Sequence, residues 1–298
     1  MTIRNPLKRF FRKDAVSEGA AEYWDRLPKR RSLHWTEHPR VAEYVNACIT
    51  DVPWLGPTQG LKAGWAYHPL QRGLSIGCGI GNLERDLYFQ RICERIEGID
   101  ISRESIRVAK KMNKDAGVRG IRYRVADFNR LELPPERYNI VFFHGSLHHV
   151  SDPDRLLDEV RRTLKPQGLL YVDEYVGPSR DEWTDDDLRF AREEFAKLDA
   201  KLKLWDVNPP LDRTDPSEMI RSSRIVPAIR ERFEILHYKP YWGNLLFPLL
   251  CCVDRDEILK GENAPLVERL VARERELVAR GEIQNPLFAV IFARKQGS

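Results

Sequence analysis

The sequence has few of the features that mark membrane or secreted proteins. Over 298 residues, no apolar run approaches the roughly 20 residues that a membrane-spanning helix needs. Its five cysteines are odd in number and irregularly spaced, no C-x-x-C pair occurs, and the adjacent Cys251 and Cys252 are poor disulfide partners. Because this cysteine usage fits a reducing compartment, we expect a cytoplasmic protein without disulfides or stable membrane insertion.

A strong excess of either charge is also absent. The chain has 49 Lys and Arg residues against 45 Asp and Glu, and the two signs are interleaved. This balance is typical of an enzyme and argues against a nucleic-acid partner, which usually needs a basic face. Residues 1–14 carry a local basic excess interspersed with apolar side chains. We interpret this segment as a frayed terminus, with weak contact to a membrane surface as the alternative.

From Gly73 onward the sequence alternates between strand and helix patterns. Short runs rich in Val, Ile, Leu and Phe are each followed by a stretch of helical periodicity, which predicts a doubly wound α/β fold with a mostly parallel sheet. The predicted strands span residues 73–77, 95–101, 121–128, 138–146, 169–177, 233–241 and 286–295. The predicted helices in the core are 82–92, 102–117 and 152–168, with Ser102 and Asp152 as N-caps and Gly168 at a helix end.

We expect one domain over residues 1–298, with helical additions around this core. Residues 1–72 are interpreted as an N-terminal helical cap and linker, 73–178 as the cofactor-binding core, 179–221 as a lid-like insertion, and 222–298 as the remaining core strands with a helical insertion. A connection as long as 179–221 is typical of segments that close over a ligand. Within it, the candidates for contact with a substrate are Trp183, Trp205, Arg213 and Arg221, and "NPPL" (208–211) is predicted to be a loop.

Three glycines follow the first predicted strand at alternate positions, in "LSIGCGIGN". Gly77, Gly79 and Gly81 give a turn without side chains, across which part of a nucleotide can lie. A dinucleotide-binding turn has its third glycine one position later, where this chain has Asn82, and it needs an anion site at the helix start. S-adenosylmethionine carries no phosphate. By itself, the turn fits either cofactor.

Two aspartates at the ends of the next two strands narrow this choice. Asp100 ends the second strand, where a carboxylate can accept hydrogen bonds from both ribose hydroxyls of NAD or of S-adenosylmethionine. Asp127 ends the third strand, where it can accept from an adenine amino group beside the ring of Phe128. Dinucleotide enzymes do not need this second carboxylate. The ordered set of glycine turn, Asp100 and Asp127 therefore favours S-adenosylmethionine.

These motifs resemble those of class I S-adenosylmethionine-dependent methyltransferases of the small-molecule type. The resemblance runs from about Gly73 to Gly177 and includes "GID", "VADF", "FFHGSLHHVSDP" and "LKPQGLLYVDE". It implies a seven-stranded sheet with an antiparallel last strand. It also implies that the glycines line the methionine part of the cofactor, while Asp100 binds the ribose and Asp127 with Phe128 the adenine. The full predicted cofactor set is Ser75, Gly77, Gly79, Gly81, Asp100, Ile101, Asp127, Phe128 and His144.

One position departs from the family pattern. Many members have an acidic residue two positions before the first glycine, where it helps to hold the methionine ammonium group, and this chain has Ser75 there. Serine accepts a hydrogen bond but carries no charge. Backbone carbonyls near Gly77 and the carboxylate of Glu84 are the candidates for the same task, and an acid on this helix could equally face solvent.

Candidates for the chemistry follow the fourth and fifth strands, beside the expected methyl position. Methyl transfer is an in-line displacement, and a hydroxyl acceptor must also lose its proton. His148 is the first candidate for contact with the reaction and His149 the second, while Glu174 is an alternative proton acceptor. These histidines and His144 do not fall on one helical face and no cysteine is near, so we predict no metal site.

Together these observations predict methylation of a small molecule with S-adenosylmethionine as cofactor. O-methylation of a sugar or secondary metabolite is the first expectation, and N-methylation of a small molecule is the nearest alternative. An NAD-dependent oxidoreductase is the alternative from another enzyme class, and it would need the phosphate-binding third glycine that Asn82 replaces.

Overall fold

The computed structural model describes residues 15–26, 34–64 and 70–296, so the basic segment 1–14 lies outside the described residues. The strands are β1 Leu70–Ile76, β2 Cys93–Asp100, β3 Ile121–Val125, β4 Tyr138–His144, β5 Leu164–Tyr175, β6 Phe233–Trp242 and β7 Phe288–Lys295. The α-helices of this part of the chain are α1 Ala15–Asp25, α2 Pro39–Thr50, α3 Pro57–Gly64, α4 Asn82–Phe89, α5 Arg103–Asp115, α6 Pro153–Thr163, α7 Asp185–Ala196, α8 Ile225–Arg232, α9 Leu246–Leu250, α10 Arg255–Ile258 and α11 Ala264–Ala279.

The described strands form one seven-stranded sheet in the order β3-β2-β1-β4-β5-β7-β6. Strands β1 to β5 pair in parallel, and β7 runs antiparallel between β5 and β6. The central strands are apolar because both faces of the sheet are covered: Phe142 and Phe143 are neighbours on β4, and each is fully buried in a different core cluster. The predicted doubly wound sheet with an antiparallel last strand is therefore confirmed.

Local capping residues begin the core helices where the sequence places them. The Ser102 side chain accepts from the Ser105 amide at the start of α5, and Asp152 does the same for the Arg155 amide ahead of α6. The predicted end of α6 at Gly168 is wrong. The helix ends at Thr163, because Leu164 is already extended and pairs with β4, so that the segment up to Gly168 belongs to β5.

Helices α3, α8 and the short α10 lie where the sequence did not predict them. Helix α3 falls within the segment interpreted as a linker, and α8 lies just before β6 and packs against α6. Helix α1 packs on α5, where the Asp25 carboxylate accepts hydrogen bonds from the Ser102 hydroxyl and the Glu104 amide. Among the described helices, none is both long and apolar enough to cross a lipid bilayer.

A buried carboxylate fixes the start of α9, which follows β6. Glu274 of α11 is fully buried and accepts hydrogen bonds from the amides of Gly243, Leu245 and Leu246 at 2.9–3.1 Å. These amides lie before or at the start of the helix, where they have no carbonyl partner in the helix itself. Glu274 therefore sets the position of α9, which carries Phe247 towards the site described below.

Replacing Glu274 by alanine should lower the free energy of unfolding by about 3–5 kcal/mol, because three buried amides lose their acceptor. Glu276→Ala is the matched control on the same helix. Its carboxylate pairs with Arg273 and Arg280 at the surface, and its loss should cost about 0.5 kcal/mol or less. Chemical denaturation measures both, and equal effects for the two variants would contradict the capping role.

Candidate active site

The turn between β1 and α4 needs glycine for a different reason at each position. Gly77, Gly79 and Gly81 have φ angles of 74°, 51° and 83°, in the left-handed region that side chains disfavour. A Cβ on Gly77 would lie 2.4 Å from Cβ of Ser146, and one on Gly81 would lie 2.2 Å from the hydroxyl oxygen of Tyr123. A Cβ on Gly79 would meet no atom of the described residues within 4 Å. Gly79 is thus the point where the turn leaves room for a ligand.

Asp100, at the end of β2, ties this turn to the edge of the sheet. Its Oδ2 accepts from the Gly79 amide at 2.8 Å, and its Oδ1 accepts from the Ser102 amide at 2.9 Å. Burial raises the pKa of this carboxyl group, while the amides favour its charged form. Because each carboxylate oxygen can accept a second hydrogen bond, Asp100 remains able to accept from a pair of ligand hydroxyls.

A cavity of about 330 Å³ opens beside the turn, and we call it the glycine-turn cavity. Its volume falls within the range of about 300–1,000 Å³ that small-molecule sites occupy. The predicted cofactor residues in its wall are Ser75, Gly77, Gly79, Asp100, Ile101, Phe128 and His144. Sequence reasoning missed further wall residues from α1 and from the segment after β3, which are Val16, Ser17, Ala20, Trp24 and Asn129.

Two predicted cofactor residues are not among the described residues of this wall. Gly81 faces Tyr123 instead. Oδ1 of Asp127 accepts from the Asn129 amide at 2.9 Å and so caps a short helical turn that begins at Phe128. The Asp127 carboxylate thereby shapes the segment that brings Phe128 and Asn129 into the wall. Its direct contact with adenine stays a prediction.

Glu84, in the first turn of α4, lies in the wall of the cavity and does not face solvent. It is fully buried, and neither carboxylate oxygen accepts a hydrogen bond of normal geometry from the part of the chain that the structure describes. Burial raises its pKa to about 7, although the nearby Ser75 hydroxyl favours the charged form. The sequence held a signal for this burial, since Glu84 precedes Leu87 by three residues and so shares the apolar side of α4.

Glu174, at the end of β5, holds the loop that follows β4. Its Oε2 accepts from the amides of Ser146 and Leu147, and its Oε1 accepts from the Tyr175 amide and contacts Nδ1 of His148 at 2.5 Å. A carboxylate has about four acceptor positions, and all are used here. Glu174 is therefore placed to orient His148, and its role as an alternative proton acceptor stays a prediction.

Acidic neighbours favour the charged form of the His148 ring. Burial disfavours the charged ring, but the charge and hydrogen bond of Glu174, together with Glu218 and Asp215, raise its pKa to about 9. Its Nδ1 faces Glu174, and its Nε2 lies 4.0 Å from Glu218. A ring fixed at one nitrogen by a carboxylate presents the other nitrogen for proton transfer.

The other two histidines of the loop are also held by acids. Nδ1 of His149 lies 3.1 Å from the Ser217 hydroxyl and 3.5 Å from Asp215, and its ring meets Trp24 edge-on. Nδ1 of His144 lies 3.3 Å from Oδ2 of Asp173. Burial works against the charged form of His144, but the hydrogen bond and charge of Asp173 raise its pKa.

A larger cavity of about 860 Å³ lies next to the histidines, and we call it the aromatic cavity. Its rings come from α1, β5, β6, β7, α9 and the flanking segments, and they are Trp24, Trp35, Tyr175, Trp205, Tyr241, Phe247 and Phe288. Its carboxylates are Asp173, Glu174, Asp206, Asp212 and Glu218. The predicted loop "NPPL" and Arg213 also line it, whereas Trp183 and Arg221 are not among the described residues of its wall.

The two cavities meet at the end of β4 and the loop after it, which carry His144, His148 and His149. Among the described residues, those that line both are Trp24, His144, Gly145 and His149. His148 lines the aromatic cavity alone. A molecule in the glycine-turn cavity can therefore meet a second molecule in the aromatic cavity beside a held imidazole ring.

Side-chain atoms that could bind a metal ion also lie close together beside this loop. Atoms of His148, His149 and Glu218 lie within 4.8 Å of one another. From the sequence, His144 was the third histidine considered as a metal ligand. In the structure, the third residue of the group is instead Glu218 from the lid-like insertion. The absence of a metal site stays a prediction.

The central part of the chain matches a known family. Residues 74–172 match the family model described as a methyltransferase domain. Over 163 residues the chain is 31% identical to the ubiquinone biosynthesis O-methyltransferase of Bartonella bacilliformis. That match covers 53% of this chain and 60% of the relative, so the chain spans about three fifths of the length of that relative.

Solved structures resemble the fold over nearly the whole chain. The geranyl diphosphate C-methyltransferase of Streptomyces coelicolor has a TM-score of 0.57 at 15% identity, covering 95% of this chain and 99% of that one. Phosphoethanolamine N-methyltransferase 2 of Haemonchus contortus has a TM-score of 0.55 at 18% identity, covering 93% and 60%. At such identities, likeness extends to the fold alone. By name, the two structures and the sequence relative act on carbon, nitrogen and oxygen, so they do not decide the acceptor atom here.

Residues 74–172 therefore form a methyltransferase domain, within a sheet that has the class I, S-adenosylmethionine-dependent methyltransferase fold. This confirms the resemblance and decides between the cofactors that the glycine turn left open. The residues present also fit S-adenosylmethionine: Gly79 leaves space at the turn, and Asp100 offers acceptors for ribose hydroxyls.

Gly79→Arg should abolish binding of S-adenosylhomocysteine and leave the fold intact, because its side chain enters open space in the glycine-turn cavity. The positive φ adds a strain of only about 1–2 kcal/mol. Gly81→Ala should instead destabilise the protein by about 1–3 kcal/mol through its clash with Tyr123. Calorimetric titration and thermal denaturation separate the two effects. Full cofactor affinity in Gly79→Arg would show that the ligand lies elsewhere.

Proposed function

We propose that this chain methylates a hydroxyl oxygen of a small molecule held in the aromatic cavity, with S-adenosylmethionine in the glycine-turn cavity. The observation that carries this proposal is the junction of the two cavities at His144, Gly145 and His149, next to the His148–Glu174 pair. When bound, the cofactor supplies a methyl group on a sulfonium, which is a strong electrophile. The chain itself must align the acceptor and accept its proton.

Different residues at the junction align the acceptor and accept its proton. His148 accepts the hydroxyl proton at Nε2, while Glu174 keeps Nδ1 protonated and stabilises the imidazolium that forms, as a carboxylate does behind a catalytic histidine. His149 and Trp24 line both cavities and would border the space where the acceptor oxygen meets the methyl group. The surrounding aromatic rings exclude water and offer flat apolar faces to a sugar or an aromatic metabolite.

N-methylation of a small molecule is the second candidate. The aromatic cavity holds five carboxylates, which are Asp173, Glu174, Asp206, Asp212 and Glu218. The side chains of this cavity that can carry a positive charge are Arg213 and the histidines. Such a surface favours a cationic amine over an anionic acceptor. We infer from the same balance that phosphorylated and carboxylated acceptors are excluded.

Purified protein should bind S-adenosylmethionine in a calorimetric titration and should not bind NADH, because Asn82 stands where a pyrophosphate needs glycine. Turnover with a labelled methyl donor and a panel of neutral sugars, phenols and amino sugars should then place the label on oxygen. Binding of NADH alone would contradict the proposal. Label found only on nitrogen would establish the second candidate.

The rate should rise with pH, because His148 must be deprotonated to act as a base. With its pKa at about 9, kcat/KM should increase about tenfold per pH unit between pH 6 and 8 and level off near pH 9. Glu174→Gln removes the negative charge that raises this pKa. The plateau of kcat/KM should therefore begin about 1–3 pH units lower. A rate independent of pH from 6 to 9 would contradict the role of His148.

His148→Ala should lower kcat by about 10²–10⁴-fold while sparing the affinity for S-adenosylhomocysteine. The reason is that His148 lines the aromatic cavity and not the glycine-turn cavity. His237→Ala is the matched control, since that histidine lies on β6 outside both cavities. Stopped turnover in this control, or unchanged turnover in His148→Ala, would contradict the assignment.

A further inference from the structure

Glu84 is the buried acid that the proposed reaction does not use. It is fully buried in the wall of the glycine-turn cavity, and neither oxygen accepts a hydrogen bond of normal geometry from the described residues. Glu174 and Glu274, the comparably buried glutamates, accept three or more hydrogen bonds each. An unpaired buried carboxylate is unfavourable, so its position calls for a cationic ligand.

No cationic side chain of the described residues hydrogen-bonds Glu84, although the charges of His144 and Arg85 favour its ionised form. The adjacent Arg85 directs its guanidinium to the Ile80 carbonyl and the Asn82 side chain. His144 of β4 faces Asp173. The hydroxyl of Ser75 lies near enough to favour the charged carboxylate but brings no charge of its own. Glu84 therefore lies in the cavity wall with unused acceptor positions.

Ser75 occupies the position where the resembling family has an acid. Ser75 is itself buried and lines the same cavity, so a ligand there meets Ser75 from β1 and Glu84 from α4. A carboxylate in the first turn of a helix also benefits from the partial positive charge of the helix start. The chain therefore keeps one acid at this end of the cavity, carried by the helix and not by the strand.

We propose that Glu84 binds the α-ammonium group of S-adenosylmethionine, with Ser75 as a neutral second acceptor. This inference rests on the proposed function, since it requires that cofactor in the glycine-turn cavity. An ammonium group has three donors and one positive charge. It would neutralise the carboxylate and satisfy oxygens that otherwise remain without partners.

The test compares two ligands that differ in this group. S-adenosylhomocysteine carries the ammonium, whereas 5′-methylthioadenosine lacks the whole amino-acid part. Glu84→Gln, which keeps the shape and removes the charge, should weaken binding of S-adenosylhomocysteine about 10–100-fold. It should leave binding of 5′-methylthioadenosine within about twofold. Glu94→Gln, an exposed acid at the far end of β2, is the matched control and should change neither affinity.

The second variant moves the acidic residue from α4 to β1. In Ser75→Asp/Glu84→Gln the acid returns to the strand position, and affinity for S-adenosylhomocysteine should recover to within about tenfold of the wild type. This rescue separates ammonium binding from a merely structural role of Glu84, because a structural defect would not be repaired by a charge on β1. Thermal denaturation of each variant without ligand confirms that it is folded.

Three outcomes would overturn the assignment. They are wild-type affinity of Glu84→Gln for S-adenosylhomocysteine, an equal loss of affinity for both ligands, and no recovery in the double variant. Wild-type protein that binds neither S-adenosylmethionine nor S-adenosylhomocysteine would overturn the proposed function as well. Normal binding by Glu84→Gln overturns only the role of Glu84.

Discussion

The buried carboxylate of Glu174 joins the end of β5 to the loop that follows β4, and both cavities are built around that joint. Its hydrogen bonds hold the amides of Ser146 and Leu147 and the ring of His148. Ser146 in turn donates its hydroxyl to the Ile76 carbonyl and packs over Gly77. One acid on β5 thereby positions His148 beside the aromatic cavity and the glycine turn beside the glycine-turn cavity.

Much of the fold could be predicted from the sequence, because the apolar runs of a sheet covered on both faces are visible without contacts. The seven strands and the caps Ser102 and Asp152 follow from local patterns. The end of α6 could not be predicted in the same way, since Leu164 continues the helical apolar stripe and only its pairing with β4 makes it extended. Helix α8 was missed because its short amphipathic pattern needs α6 beside it to be recognised.

The candidate site was predictable where a strand ends and much less so elsewhere. Asp100 and the glycines lie at strand ends, where topology alone brings them together. Trp24 and Glu218 come from segments distant in sequence, and local pattern does not place them beside the histidines. Glu84 shows the limit most clearly. Its spacing from Leu87 indicated a buried side, but an acid on a helix normally faces solvent, and only the packed structure decides between the two.

Helix α1 covers the point where the two cavities meet, and its polar contacts reach to both sides. Trp24 lines both cavities, the Tyr23 hydroxyl donates to Asp212 in the loop of the aromatic cavity, and Asp25 accepts from Ser102 behind the glycine turn. A single short helix therefore forms part of the wall of both cavities. Any displacement of α1 would reshape the two compartments together.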